Sequence, residues 1–197
     1  MEIRLADRLE SVLWDNANGI LLHKTPKAAS TTIHRHLLHL YKNILVDEVP
    51  VDHIAVAIVR NPMDRIASCY RDKIFAPQIH VISANPTTKK KIPGFKPGML
   101  ANDFVEIVIK HHDQNRHWMP QSQWLDIGYG LPIHIVHFER LSDEWKALQN
   151  VLALPDFPNK YERRTQAKPW QEYINEDQAK RIRALWSADF VNFGYEA

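Results

Sequence analysis

His53-Ile54-Ala55-Val56-Ala57-Ile58-Val59-Arg60 is almost wholly β-branched or alanine, with no alternation of apolar and polar residues. A continuous apolar run of this length suits a strand buried on both faces of a parallel sheet. Asn61-Pro62 stops it, and a helix is expected over 63–75. On the N-terminal side, Ile20-Leu21-Leu22-His23 is a shorter apolar run. A polar segment, 24–32, follows it, and a helix is expected over 30–41 with Ile33, Leu37, Leu38 and Tyr41 inward. Residues 133–138 form a third strand candidate.

The remaining chain fits around these strands. Residues 5–14 have helical spacing, with Leu5, Leu9, Val12 and Leu13 on one side, and 15–19 read as a turn. Asn102 or Asp103 is expected to cap a helix carrying Phe104, Ile107 and Val108. Ser142 opens a short helix with Trp145, Leu148 and Val151, and 175–186 form an amphipathic C-terminal helix. Between the helices, 76–98 is rich in Pro and Gly and holds Lys89-Lys90-Lys91. It reads as a substrate loop or a solvated one. Strands alternating with helices predict an α/β domain with a mainly parallel central sheet, whose ligands sit at the carboxyl ends of the strands.

Bulk properties narrow the class. A chain of 197 residues suits one domain, so a single domain over 1–197 is expected. Hydrophobic residues make up 45% and charged residues 24%, as in an ordinary soluble protein. A net charge of +2 is too small to point to nucleic acid, and none is expected as a partner. One cysteine, Cys69, excludes an internal disulfide framework and reads as a small buried residue. The charged first residues resemble neither a signal peptide nor a membrane span, and no later apolar run is long enough to be one. A cytoplasmic location is the expectation.

Two polar segments begin where a strand ends. In Thr25-Pro26-Lys27-Ala28-Ala29-Ser30-Thr31-Thr32, backbone N–H groups at a helix N-terminus make an anion site. Lys27 adds a mobile charge, and Ser30, Thr31 and Thr32 add hydroxyl donors. The ATP-type phosphate loop needs glycines and places its lysine after them; this segment does neither. A capped helix start after a solvated turn is the plain alternative. In Arg60-Asn61-Pro62-Met63-Asp64-Arg65-Ile66-Ala67-Ser68, the arginine stands at the end of a buried strand, a costly place without an anion. Ser68 falls about two turns into the next helix, and the two groups suit one phosphate. An ion pair with Asp64 and a small packing serine are the plain alternatives.

The pair resembles the two nucleotide motifs of sulfotransferases that use 3′-phosphoadenosine 5′-phosphosulfate (PAPS). Lys27-Ala28-Ala29-Ser30-Thr31-Thr32 is similar to that family's loop for the 5′-phosphosulfate, and Arg60-Asn61-Pro62 with Ser68 to its 3′-phosphate site. His117-Trp118-Met119-Pro120-Gln121, His137-Phe138-Glu139-Arg140-Leu141 and the ending Asp189-Phe190-Val191-Asn192-Phe193-Gly194-Tyr195 resemble the carbohydrate sulfotransferase branch. Arg164-Thr165 and Lys168 sit where that branch binds nucleotide again. The resemblance implies a three-layer α/β/α fold akin to nucleotide kinases with a P-loop. It also implies PAPS as donor, a glycan hydroxyl as acceptor and no metal.

Transfer needs a stabiliser for the leaving oxygen and a base for the acceptor hydroxyl. Lys27 is the expected stabiliser and His117 the first candidate base, with His53 and Glu139 in reserve. A structural role beside Trp118 is the plain reading of His117. Many sulfotransferases carry a catalytic histidine ahead of the arginine strand; the matching positions here, His36 and His39, fall inside the helix after the phosphate loop, which makes them poor bases. His111 and His112 with His117 lack a metal-ligand pattern. Rival classes are a nucleotide or small-molecule kinase with a variant phosphate loop, and a non-catalytic anion or nucleic-acid binder using the lysine loop.

Overall fold

The computed structural model describes residues 12–37, 40–41, 53–74, 92–125, 133–157 and 168–196. In chain order they form β1 (Val12–Asp15), β2 (Ile20–His23), α1 (Ser30–Leu37), β3 (Ile54–Val59), α2 (Pro62–Lys73), α3 (Ala101–Lys110) and α4 (Gln121–Leu125). Then come β4 (Ile133–His137), a 3-10 turn (Phe138–Arg140), α5 (Leu141–Leu152), a second 3-10 turn (Trp170–Glu172), α6 (Glu176–Leu185) and α7 (Ser187–Asn192). Two compact units result, one from 1–60 with 125–164 and one from 61–124 with 165–197.

The first unit holds a four-stranded sheet in the order β1-β2-β3-β4. The pairs β2–β3 and β3–β4 are parallel, with Leu22 opposite Val56 and Val59 opposite His137. The sheet is therefore mixed, because β1 pairs antiparallel with β2. Ala55 to Val59 are all at most 2% exposed, as the unbroken apolar run of the central strand requires. Leu13, Leu22, Ile33, Leu37, Val56, Ile58, Val136 and Trp145 share one core.

Residues 12–15 are a strand, where helical spacing predicts the end of a helix. The Asp15 carboxylate accepts from Ala17 N and Asn18 N, which closes a tight turn ending at Gly19 with φ of 66°. That turn folds Val12, Leu13 and Trp14 back onto β2, and inter-strand pairing overrides an apparent helical period. The rest of the expected helix, 5–11, lies outside the described residues. So do Leu38 and His39 of the expected helix over 30–41, and residues 76–91 of the long loop.

The second unit is helical. Its core gathers Ile66, Cys69, Phe104, Val108, Trp118, Ile182, Trp186 and Phe190. Asn61 caps α2, accepting from Met63 N at 2.9 Å, and Pro62 fills the first helical position. Asn175 and Gln178 form a reciprocal capping box on α6. Helix α3 starts two or three residues earlier than expected, with Leu100 as its cap residue and no side-chain cap. Val151, on α5 with Trp145 and Leu148, is 75% exposed. The C-terminal part of the long loop is anchored: Ile92 is buried, and Phe95 packs on Phe104 and Trp118. Among the described residues, no helix is long and apolar enough to cross a membrane.

Candidate functional site

The loop after β2 has the backbone of an anion site. Lys27 and Ala29 adopt left-handed conformations, φ 69° and 59°, and Ala28 between them does not. A left-handed backbone costs a non-glycine residue about 1–2 kcal/mol, so this shape must be held by its surroundings. Ala28 supplies part of that hold, fully buried, with its N–H donated to Thr25 O at 3.1 Å. Alternating handedness turns successive N–H groups toward one concavity, which favours an anion. Helix α1 begins directly afterwards at Ser30, so its dipole adds to the same field.

The side chains around the loop are not a solvated turn. Lys24 and Thr25 are 6% and 0% exposed, and Thr32 is also buried. Thr25 Oγ1 is buried and has no hydrogen-bond partner among the described residues. Ser30 and Thr31 are half-buried at the first turn of α1.

Arg60 follows β3 and reaches this loop. Its Nη1 donates to Lys27 O at 3.3 Å, and its guanidinium lies 4.5 Å from the centre of the Phe138 ring. Phe138 itself follows β4. Three adjacent parallel strands thus bring the Lys27 loop, Arg60 and Phe138 together at their carboxyl ends, the ligand-binding edge of such a sheet. His53, a reserve candidate for the base, precedes β3 at its amino end and touches Trp14. It stands about 20 Å along the strand from Arg60. Glu139, the other reserve, is exposed.

One carboxylate in this unit escapes a sequence reading. Glu144 Oε2 accepts from His137 N at 2.6 Å and lies 3.0 Å from His137 Nδ1, while Glu144 Oε1 accepts from Arg140 Nε at 2.6 Å. Burial pushes the Glu144 carboxyl up, but the hydrogen bonds from His137 and Arg140 together bring it below the ordinary carboxylate range. His137 ends β4 and Glu144 lies in the first turn of α5, a spacing that only the strand-to-helix turn makes short.

Ser68, His117 and Lys168 belong to the second unit, while Arg164 and Thr165 lie outside the described residues. Ser68 lies within α2, about two turns from its start, as expected. Lys168 is exposed and pairs loosely with Glu172 at 3.7 Å, and its carbonyl accepts from Arg71 Nη1 at 3.4 Å. His117 is half-buried, and its N–H and its Nδ1 both contact Asn115 Oδ1, at 3.0 and 2.9 Å. Arg65, 1% exposed, donates to Met119 O at 2.6 Å and to Arg116 O at 2.8 Å. A charged residue between Met63 and Ile66 on a buried helix face is the one signal of Arg65 in the sequence. Among the described residues, no group of three or more His, Cys, Asp or Glu side chains gathers to hold a metal ion.

No curated protein matches this chain. No solved structure matches it. A sequence model of the sulfotransferase family matches residues 11–196, a span that takes in the Lys27 loop, Arg60 and the His117 segment. The chain therefore belongs to the sulfotransferase family.

Proposed function

We propose that this protein moves a sulfuryl group from PAPS to a hydroxyl of a carbohydrate acceptor and releases adenosine 3′,5′-bisphosphate. The observation that carries the reading is the left-handed loop at Lys27, followed by a helix N-terminus and braced by Arg60. Family members generally use PAPS, and this loop suits the 5′-phosphosulfate. Thr25, Pro26, Lys27, Ala28, Ala29, Ser30, Thr31 and Thr32 would form its cradle. The unsatisfied Thr25 hydroxyl is a donor such a group would use. Arg60 and Ser68 are assigned to the 3′-phosphate, and Arg164, Thr165 and Lys168 to the nucleotide. The unbroken family match through both units supports one sulfotransferase domain, and the parallel strands suit the three-layer, P-loop-like fold. The single thiol, Cys69, is buried, which suits a reducing compartment such as the cytoplasm.

In the reaction, the acceptor oxygen bonds to sulfur as the bond from sulfur to the bridging phosphate oxygen breaks. Lys27 and the loop amides stabilise the charge that the phosphate oxygen takes up. The acceptor proton passes to a base, assigned to His117.

Thermal shift with three nucleotides tests the donor site. Adenosine 3′,5′-bisphosphate should stabilise the protein more than adenosine 5′-phosphate, because only the former offers a 3′-phosphate. Equal shifts sink the Arg60 and Ser68 assignment, and a larger shift with ATP and Mg²⁺ favours a kinase. Transfer of ³⁵S from labelled PAPS to a panel of soluble polysaccharides then tests the acceptor class, and no transfer to any of them overturns it.

A further inference from the structure

The segment that carries His117 is held more firmly than a half-buried surface turn requires. Arg65 donates to the carbonyls of Arg116 and Met119, on either side of the His117-Trp118 pair. Trp186 Nε1 donates to Trp118 O at 2.8 Å, and Trp118 Nε1 donates to His111 O at 2.8 Å. Just beyond, the buried Asp189 carboxylate accepts from Gln121 N and Ser122 N, both at 2.7 Å. Two buried side chains from distant parts of the sequence, Arg65 and Trp186, thus fix this turn, and a third, Asp189, fixes the helix start that follows it. Rigid support of this kind is what a reacting group needs to keep its geometry.

Asn115 sets the chemistry of the imidazole within that turn. It is 2% exposed, and its Oδ1 accepts the His117 backbone N–H. A backbone N–H only donates, so the atom facing it is the amide oxygen and not the amide nitrogen. The same oxygen lies 2.9 Å from His117 Nδ1. An oxygen acceptor there requires the proton on Nδ1, which leaves the lone pair of the neutral ring on Nε2.

We infer that Asn115 is a positioning residue: its buried amide oxygen holds His117 as the Nδ1–H tautomer, so that Nε2 accepts the acceptor hydroxyl's proton. This rests on the assignment of His117 as the base. In the proton transfer, the hydroxyl O–H bond breaks, Nε2 gains the proton, and Nδ1–H stays bonded to Asn115 as the ring becomes cationic. The amide oxygen favours that cation, while the accepting nitrogen stays fixed.

The tautomer is read directly in the whole protein. A long-range ¹H–¹⁵N spectrum of the imidazoles, assigned by comparison with His117→Ala, should show His117 Nδ1 as protonated and Nε2 as unprotonated. The reverse pattern overturns the inference without any activity measurement. Asn115→Ala should lower kcat for ³⁵S transfer from PAPS to polysaccharide by about 10²-fold. It should leave the thermal shift with adenosine 3′,5′-bisphosphate unchanged. Asn115→Asp keeps an accepting oxygen and should restore most of the rate. A folded Asn115→Ala variant with wild-type kcat, alongside an inactive His117→Ala, overturns the positioning role alone. Wild-type kcat in His117→Ala removes the base assignment, and the inference with it.

Discussion

At Lys27 and Ala29, backbone strain and electrostatic function are separable by substitution. Both residues sit at positive φ, where glycine pays no steric penalty. Ala29→Gly removes strain but adds unfolded-state freedom, so the net gain is up to about 1 kcal/mol, or roughly 2–4 °C in Tm for a chain of this size. Ala29→Val should lower Tm, since a β-branched residue resists this conformation. Lys27→Gly relaxes the backbone in the same way but deletes the charge, so calorimetry should show Tm kept or raised while turnover drops about 10²- to 10³-fold. A Lys27→Gly variant with ordinary turnover takes the lysine out of the mechanism. Glu144 offers a pH-dependent counterpart. Its carboxyl is lowered in the folded state, so its contribution is complete above the ordinary carboxylate range and is lost as pH falls through the lowered value. Glu144→Gln should therefore cost no more than about 1 kcal/mol near neutral pH, since solvent screens this partly exposed pair, and the gap to wild type should close in acid. Urea unfolding of both proteins across that range is the measurement, and a gap independent of pH removes the ionised carboxylate from the account.

The elements most legible in the sequence are those whose signal is local. The apolar run of β3, the capping residues Asn61 and Asn175 and the strand-to-helix step at Ser30 all follow from neighbouring residues. Strand β1 does not, because Val12, Leu13 and Trp14 fit a helical period as well as a pleat, and only pairing with β2 decides. The five-residue helix α4 is decided still further away. Its N-terminal N–H groups, from Gln121 and Ser122, are satisfied by Asp189, 68 and 67 residues later in the chain. Ser122 Oγ also donates to Asp189, at 2.7 Å. Asp189 is 0% exposed, so its removal leaves buried donors without their acceptor. Asp189→Ala should cost about 3 kcal/mol or more, read by denaturant midpoint, with α4 losing hydrogen-exchange protection first. A loss under about 0.5 kcal/mol, the range of an ordinary surface change, contradicts this account of α4.

For the molecule as a whole, what reads from the sequence is the placement of the two segments proposed to bind the donor. The Lys27 loop and Arg60 each sit directly after a strand, and a parallel sheet puts such segments at one edge. The supports of the His117 turn do not read this way. Arg65 and Met119 are 54 residues apart, and nothing local pairs them. Phosphoryl and sulfuryl transfer differ at this scale in who holds the leaving charge. A nucleotide kinase bridges its donor phosphates with Mg²⁺, so chelation stops it. In the proposed reaction the charge falls on one phosphate oxygen, and the groups assigned to it belong to the chain itself: the Lys27 ammonium, the amides of a left-handed loop and the start of α1. Such donors are preorganised and leave with no ion. Sulfuryl transfer from labelled PAPS should therefore proceed at an unchanged rate after exhaustive treatment with EDTA and dialysis. Added Mg²⁺ should alter that rate only as far as matched ionic strength does, since screening acts on every exposed charge alike. Activity lost to the chelator and recovered with one divalent cation, at constant ionic strength, would place the leaving charge on a metal and not on Lys27.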